Sequence, residues 1–218
     1  MSVPQRPLLL GHRGARAVKT IPENTIASFD RCLADGCDGF EFDVRLTSDG
    51  VAVVCHDAEF GGAEIARVSE AELAALARLE NVLARYSERA FLDIELKVAG
   101  LEKKVAAMLK KDAPKYGYVV SSFLPRVLHS VREEDVSIPL GLICETEAEL
   151  AKWHKLAIEY VIPHRKLLKR KLIAAWKGAG KKILVWTVND PSEMRRLGEW
   201  GVDGIISDDA GLLVRTLR

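Results

Sequence analysis

The chain has 218 residues, 48% of them hydrophobic and 29% charged, with a formal net charge of +1. That is the composition of a globular protein, without the basic excess a nucleic-acid partner requires and without an apolar run near the roughly 18 residues of a membrane span. The start, Met1 to Pro7, lacks the apolar region of a secretory leader, so the four cysteines (Cys32, Cys37, Cys55 and Cys144) are expected as reduced thiols in a cytoplasmic chain.

Leu8-Leu9-Leu10 reads as a short buried strand of the parallel-sheet type, running into Gly11-His12-Arg13-Gly14. Pro22 and Glu23 suit the first turn of a helix with Ile26, Phe29 and Leu33 on one face. The next strand, Gly39 to Asp43, carries Glu41 and Asp43 on one face, with Phe42 and the following Val44 on the other. After a turn at Ser48-Asp49-Gly50 an apolar run returns to His56-Asp57, a hairpin-like excursion. Ser69 and Glu72 form a capping-box pattern for helix continuing in pieces to about Tyr86.

Phe91 to Lys97 predicts the third main strand, with Asp93, Glu95 and Lys97 on one face. Such a strand needs partners for its charges, because unpaired buried charge is expensive. Helix is expected over Leu101–Lys111, Pro125–Glu133, Glu147–Leu156, Lys166–Lys177 and Ser192–Trp200, with a short helix closing the chain. Strands are expected at Tyr118–Ser121, Pro139–Ile143, Tyr160–Ile162, Lys182–Thr187 and Asp203–Ser207. Eight strand–helix units imply an α/β fold, a (β/α)8 TIM-type barrel, here one domain over residues 1–218 with a short excursion after the second strand.

Active sites of such barrels lie at the carboxyl ends of the strands. There the chain places His12 and Arg13, Glu41 and Asp43, Glu95 and Lys97, Ser121, His164, and Trp186 with Asn189. Three carboxylates, Glu41, Asp43 and Glu95, stay ionised together most readily around a divalent cation. Arg13 and Lys97 beside them form a cradle for an anion such as phosphate. His12 and His56 titrate near neutrality and can exchange protons with an attacking and a leaving oxygen. This is a set of groups for phosphodiester cleavage. Ser121 has no nucleophile-elbow context, and His164 carries no assigned role. The basic run between Arg165 and Lys182 reads most simply as a solvated helix and its flanks.

These residues resemble the glycerophosphodiester phosphodiesterase family. The matching motifs include His12-Arg13-Gly14, Pro22-Glu23-Asn24-Thr25, Glu41-Phe42-Asp43, His56-Asp57, Ile94-Glu95-Leu96-Lys97, Ser121-Ser122-Phe123, Trp186-Thr187-Val188-Asn189 and Gly204-Ile205-Ile206-Ser207-Asp208. The resemblance implies a TIM-type barrel using one divalent metal, Mg²⁺ or Ca²⁺ with Mn²⁺ also suitable. The implied reaction converts glycerophosphodiesters such as glycerophosphocholine and glycerophosphoethanolamine to sn-glycerol 3-phosphate and an alcohol. It makes His12 and His56 the acid/base pair and Glu41, Asp43 and Glu95 the metal ligands. Arg13 and Lys97 become phosphate binders, and Trp186 a wall for the glycerol moiety. The family often carries Arg-Thr-Thr soon after the His-Asp motif, where this chain reads Ala58-Glu59-Phe60-Gly61-Gly62-Ala63, which leaves the preferred alcohol open. Rival readings are a lysophospholipase D-like or phospholipase C-like enzyme on lipids, and an inactive barrel that only binds.

Overall fold

A computed structural model describes residues 6–218; the leader reading of the first five residues lies outside them. In chain order the elements are β1 (Leu8–His12), α1 (Ile26–Ala34), β2 (Gly39–Leu46), β3 (Ala52–Val54), β4 (Glu59–Phe60), β5 (Ala63–Glu64), α2 (Leu79–Tyr86) and β6 (Phe91–Leu96). There follow α3 (Glu102–Lys111), β7 (Tyr118–Ser122), α4 (Pro125–Glu134), β8 (Leu140–Cys144), α5 (Glu147–Leu150), β9 (Tyr160–Pro163), α6 (Arg170–Gly178), β10 (Lys182–Val185), α7 (Pro191–Glu199), β11 (Gly204–Ser207) and α8 (Ala210–Leu217).

Parallel pairing runs β1-β11-β10-β9-β8-β7-β6-β2, and β2 pairs back onto β1, so eight strands close a barrel. β3 is the exception: it folds antiparallel onto the end of β2. Thr47 makes that turn, its Oγ1 accepting from the Val51 amide at 2.9 Å. β4 and β5 form a separate small hairpin beyond His56.

Alternation along each strand sorts the side chains. Leu9, Phe40, Phe42, Leu92 and Ile94 face outward into the layer packed by the helices. Phe29 of α1 stacks on Phe40 at 4.2 Å between ring centroids, and Tyr86 of α2 meets Phe40 edge-on at 5.0 Å. Inside the barrel, Leu10, Phe91, Val119, Ile143, Tyr160, Ile162, Leu184 and Ile206 form a second apolar cluster. Pro22 and Glu23, expected in the first turn of a helix, stand ahead of it: α1 starts at Ile26, where the Thr25 side chain accepts from the Ser28 amide, and α7 is capped likewise by Asp190, which accepts from the Glu193 amide.

Several expected elements differ in extent, among them the strand expected over Lys182–Thr187, which ends at Val185. The Ser69–Glu72 capping box is present but heads a short 3₁₀ turn, Glu70–Leu73, before α2. The helix expected over Glu147–Leu156 stops at Leu150 and resumes as a 3₁₀ turn, Trp153–Lys155. Only Leu150 of that segment is fully buried, too little apolar contact to reward further turns. The helix expected from Lys166 starts at Arg170, because the preceding chain is still tied to the sheet: His164 bridges Trp186, and the Arg165 amide donates to the Trp186 carbonyl at 2.7 Å.

Candidate active site

Strand register assembles the site. Across β1–β2, His12 is the partner of Glu41; across β2–β6, Glu41 is the partner of Asp93 and Asp43 of Glu95; across β6–β7, Glu95 is the partner of Ser121. Neighbouring strands lie about 4.8 Å apart, so inward side chains at partnered positions touch.

Where β1 ends, the chain turns through Arg13 (φ +53°) and Gly14 (φ +83°). Arginine rarely adopts this left-handed backbone, and the hydrogen bonds around it hold it there. Its amide donates to Glu41 Oε2 at 3.0 Å. Its carbonyl accepts from the amide of Asn24, which is also left-handed (φ +58°), at 3.1 Å. Asn24 in turn donates through Nδ2 to Asp43 Oδ2 at 2.8 Å. The loop after β1 is therefore shaped against the acidic pair of β2.

Glu41, Asp43 and Glu95 each present a carboxylate oxygen to one small volume, within 4.8 Å of one another, and all three are buried. Lys97 Nζ bridges two of them, 2.8 Å from Glu95 Oε1 and 3.2 Å from Asp43 Oδ1. Arg13 Nε lies 3.3 Å from Asp43 Oδ2, and its Nη1 donates to Glu23 at 2.6 Å. The charges are shared unequally. Burial works against ionising Asp43, but Lys97 and Arg13 outweigh it and hold its pKa low. For Glu41 the pull of Arg13 is outweighed: burial and then Asp43 and Glu95 drive its pKa well up. Glu95 is pushed to about 7 by burial and Asp43, against Lys97. Glu41 Oε1 is buried without a hydrogen-bond partner. A cluster of three hard oxygen donors with one orphaned oxygen and excess negative charge fits a divalent cation. The deeper Asp93 is pushed to about 7 by burial and takes a hydrogen bond from Ser121 Oγ at 2.5 Å.

Both histidines are held the same way. His12 Nδ1 is 2.7 Å from Asp208 Oδ1, and His56 Nδ1 is 2.7 Å from Asp57 Oδ1. An ionised carboxylate only accepts, so Nδ1 carries the proton and Nε2 is left for chemistry. Asp208 is fixed by further partners: Arg16 Nη1 at 3.1 Å and Asn189 Nδ2 at 2.7 Å. Burial opposes its ionisation, yet the His12, Asn189 and Arg16 contacts hold its pKa far below the usual range. His12 Nε2 approaches Glu41 Oε2 at 3.9 Å. His56 is carried in on the β3 return, where the Cys55 amide donates to the Asp43 carbonyl at 3.0 Å. Arg45 grips the His56 carbonyl through Nε and Nη2 at 2.8 and 2.6 Å. Burial lowers the His56 pKa, only partly offset by Asp57.

These groups line one side of a cavity of about 280 Å³. The other side is apolar except for Glu145: Phe123, Ile143, Ile162, Trp186 and Ile206. Trp186 is locked in place, its Nε1 donating to the Ile162 carbonyl at 3.1 Å and its ring meeting Phe123 edge-on at 5.6 Å.

The model of the glycerophosphoryl diester phosphodiesterase family matches residues 12–102 and 83–212. The chain belongs to this family. It is 31% identical to the glycerophosphodiester phosphodiesterase of Caldanaerobacter subterraneus subsp. tengcongensis, over 98% of this chain and 98% of that protein. Its fold is similar to the crystal structure of the glycerophosphodiester phosphodiesterase of Thermotoga maritima, with a TM-score of 0.83 and 26% identity over 97% of this chain and 98% of that one. It is equally similar to an Oleispira antarctica phosphodiesterase in complex with the product sn-glycerol-3-phosphate, with a TM-score of 0.83 and 26% identity over 97% and 96% of the two chains.

The structure brings together the residues that the sequence singled out for catalysis, substrate and metal. His12, Arg13, Glu41, His56, Glu95, Lys97 and Trp186 line the cavity, and Asp43 lies beneath them in the acidic cluster. Ser121 donates to Asp93. The sequence reading gave no role to Asp208 or Asp57, the carboxylates behind the histidines. For Asp208 a signal was available: it follows the last strand, at the same level as the other site residues. Asn24 enters the sequence reading only within the Pro22-Glu23-Asn24-Thr25 motif, and the folded loop shows it bonded to Asp43.

Proposed function

We propose that the chain is one barrel domain hydrolysing glycerophosphodiesters to sn-glycerol 3-phosphate and an alcohol. The observation that carries this reading is the pairing of two carboxylate-held imidazoles with a carboxylate–cation cluster in a single small cavity. Glu41, Asp43 and Glu95 are the residues to hold a divalent cation, with Mg²⁺ and Ca²⁺ both suited to an all-oxygen set. Bound there, such an ion supplies charge neutralisation for the phosphoryl oxygens. Arg13 Nε, buried without a hydrogen-bond partner, and Lys97 Nζ are the protein's own donors for those oxygens. One imidazole takes the proton of the attacking oxygen through Nε2, and the P–O bond to the alcohol breaks. The other imidazole gives a proton to that leaving oxygen, so protons balance. The attacking oxygen belongs to water, or to the substrate's own glycerol hydroxyl, giving a cyclic phosphate that water then opens. Trp186 and the isoleucines offer the glycerol carbons an apolar wall.

A cavity of about 280 Å³ has the size of a polar head group, and among the described residues its wall offers no long apolar channel for an acyl chain, which favours deacylated over lipid substrates. The test is a panel of glycerophosphodiesters and lysolipids assayed after EDTA stripping, with Mg²⁺, Ca²⁺ and Mn²⁺ each restored. Turnover of glycerophosphodiesters that returns only with a divalent ion is the expected result. Metal-independent turnover, or faster turnover of lysolipid, would overturn it.

A further inference from the structure

The cavity holds one carboxylate that the phosphodiesterase reading does not use. Glu145 follows β8 and lies two residues beyond Ile143, on the same inward row and one pleat nearer the mouth. Its backbone amide is tied to Glu149 Oε2 at 2.9 Å, which fixes where the side chain emerges. The neighbouring cation, Arg165, is engaged elsewhere, 2.8 Å from Glu193. Around the same side of the mouth, Trp186 is flanked edge-to-face by Phe123 and by His164, at 5.6 and 5.2 Å between ring centroids. Burial keeps the His164 pKa low, so near neutral pH its ring does not cancel the Glu145 charge.

A carboxylate on the wall of a cavity built for a phosphodiester is a liability unless the ligand brings a compensating cation. It repels an anionic ligand and leaves an uncharged alcohol with nothing to pair with it. The metal-binding cluster and Arg13/Lys97 define the end that takes phosphate, and the isoleucine floor takes the glycerol carbons. That leaves the remaining arm of the diester to the wall that carries Glu145, Phe123 and Trp186. A carboxylate gives an ammonium or quaternary ammonium group its counter-charge, and aromatic rings beside it add attraction wherever the cation meets a ring face. We infer that Glu145 is a specificity-determining residue that selects glycerophosphodiesters whose leaving alcohol is a cationic amino alcohol. The inference rests on the phosphodiesterase reading and names the substrate class of that site.

The experiment compares kcat/KM on glycerophosphocholine with that on glycerophosphoglycerol, whose alcohol is uncharged, for the unmodified protein, Glu145→Gln and Glu145→Lys. Glu145 is exposed, so neither change should disturb folding. The expected result is that Glu145→Gln lowers kcat/KM on the cationic diester about fivefold, through KM, while the uncharged diester is unaffected. Glu145→Lys should deepen that loss on the cationic diester alone. Equal changes on both substrates, or none on either, with the unmodified protein turning both over, would overturn the inference and leave the phosphodiesterase reading standing. Turnover of neither diester by the unmodified protein would remove both.

Discussion

His12 and His56 are each held by a carboxylate at Nδ1, and this is where the chemistry is most exposed to test. Replacing either with Ala should lower kcat by about two decades or more, with the fold unchanged by circular dichroism. Asp57 raises the His56 pKa against the effect of burial. Asp57→Asn removes that support, so the imidazole should lose its proton at lower pH. The limb of the kcat/KM profile that reports His56 should then move toward acid, and an unmoved profile would show that His56 does not titrate there. Asp208→Asn should lower activity by about 10- to 100-fold by loosening the His12 ring. It also bears on stability. The folded pKa of Asp208 lies below its unfolded value, so its contribution is present above the unfolded pKa and lost as pH falls toward the folded one. The stability gap between unmodified protein and variant, read by urea melts, should therefore shrink below about pH 4.

At the scale of elements, β2 matters most, because its inner row supplies Glu41 and Asp43 while its outer row supplies Phe40 and Phe42. Gly39 sets its approach to β6: a Cβ there would run into the Phe91 carbonyl, backbone that cannot step aside. Gly39→Ala should cost about 1–3 kcal/mol of stability, measured as a lower urea midpoint. Because Glu41 and Asp43 follow on the same strand, divalent-cation affinity by calorimetry should fall with it. The strand ends were legible in the sequence because alternation has a period of two and needs only local residues to see. The helices at Glu147 and Lys166 were overextended, since their real limits depend on what each turn packs against and on the His164–Trp186 bridge.

At the scale of the whole barrel, the acidic cluster sets stability against function. Glu41 is buried beside Asp43 and Glu95, and in metal-free protein this repulsion opposes folding near neutral pH. Glu41→Gln should therefore leave the metal-free Tm at pH 8 unchanged or raised. It should also abolish the rise that Mg²⁺ or Ca²⁺ gives the unmodified protein, a rise worth about 2.7 kcal/mol at 100 times Kd. A variant that kept the full metal-induced rise would remove Glu41 from the ligand set. Among the described residues no helix is long and apolar enough to cross a membrane.

The sequence by itself determined the strand–helix alternation, the inward rows of Glu41/Asp43 and Glu95/Lys97, and the gathering of polar residues at strand ends. All of these follow from short-range periodicity and from the rule that each barrel strand points its end at the same mouth. Only the tertiary structure decided that Asp208 fixes His12 from 196 residues away, that Asn24 supports Asp43, and that Glu145 lines the cavity with no ion pair among the described residues. Those contacts depend on closure of β11 onto β1 and on the register of each strand pair, which no local pattern specifies.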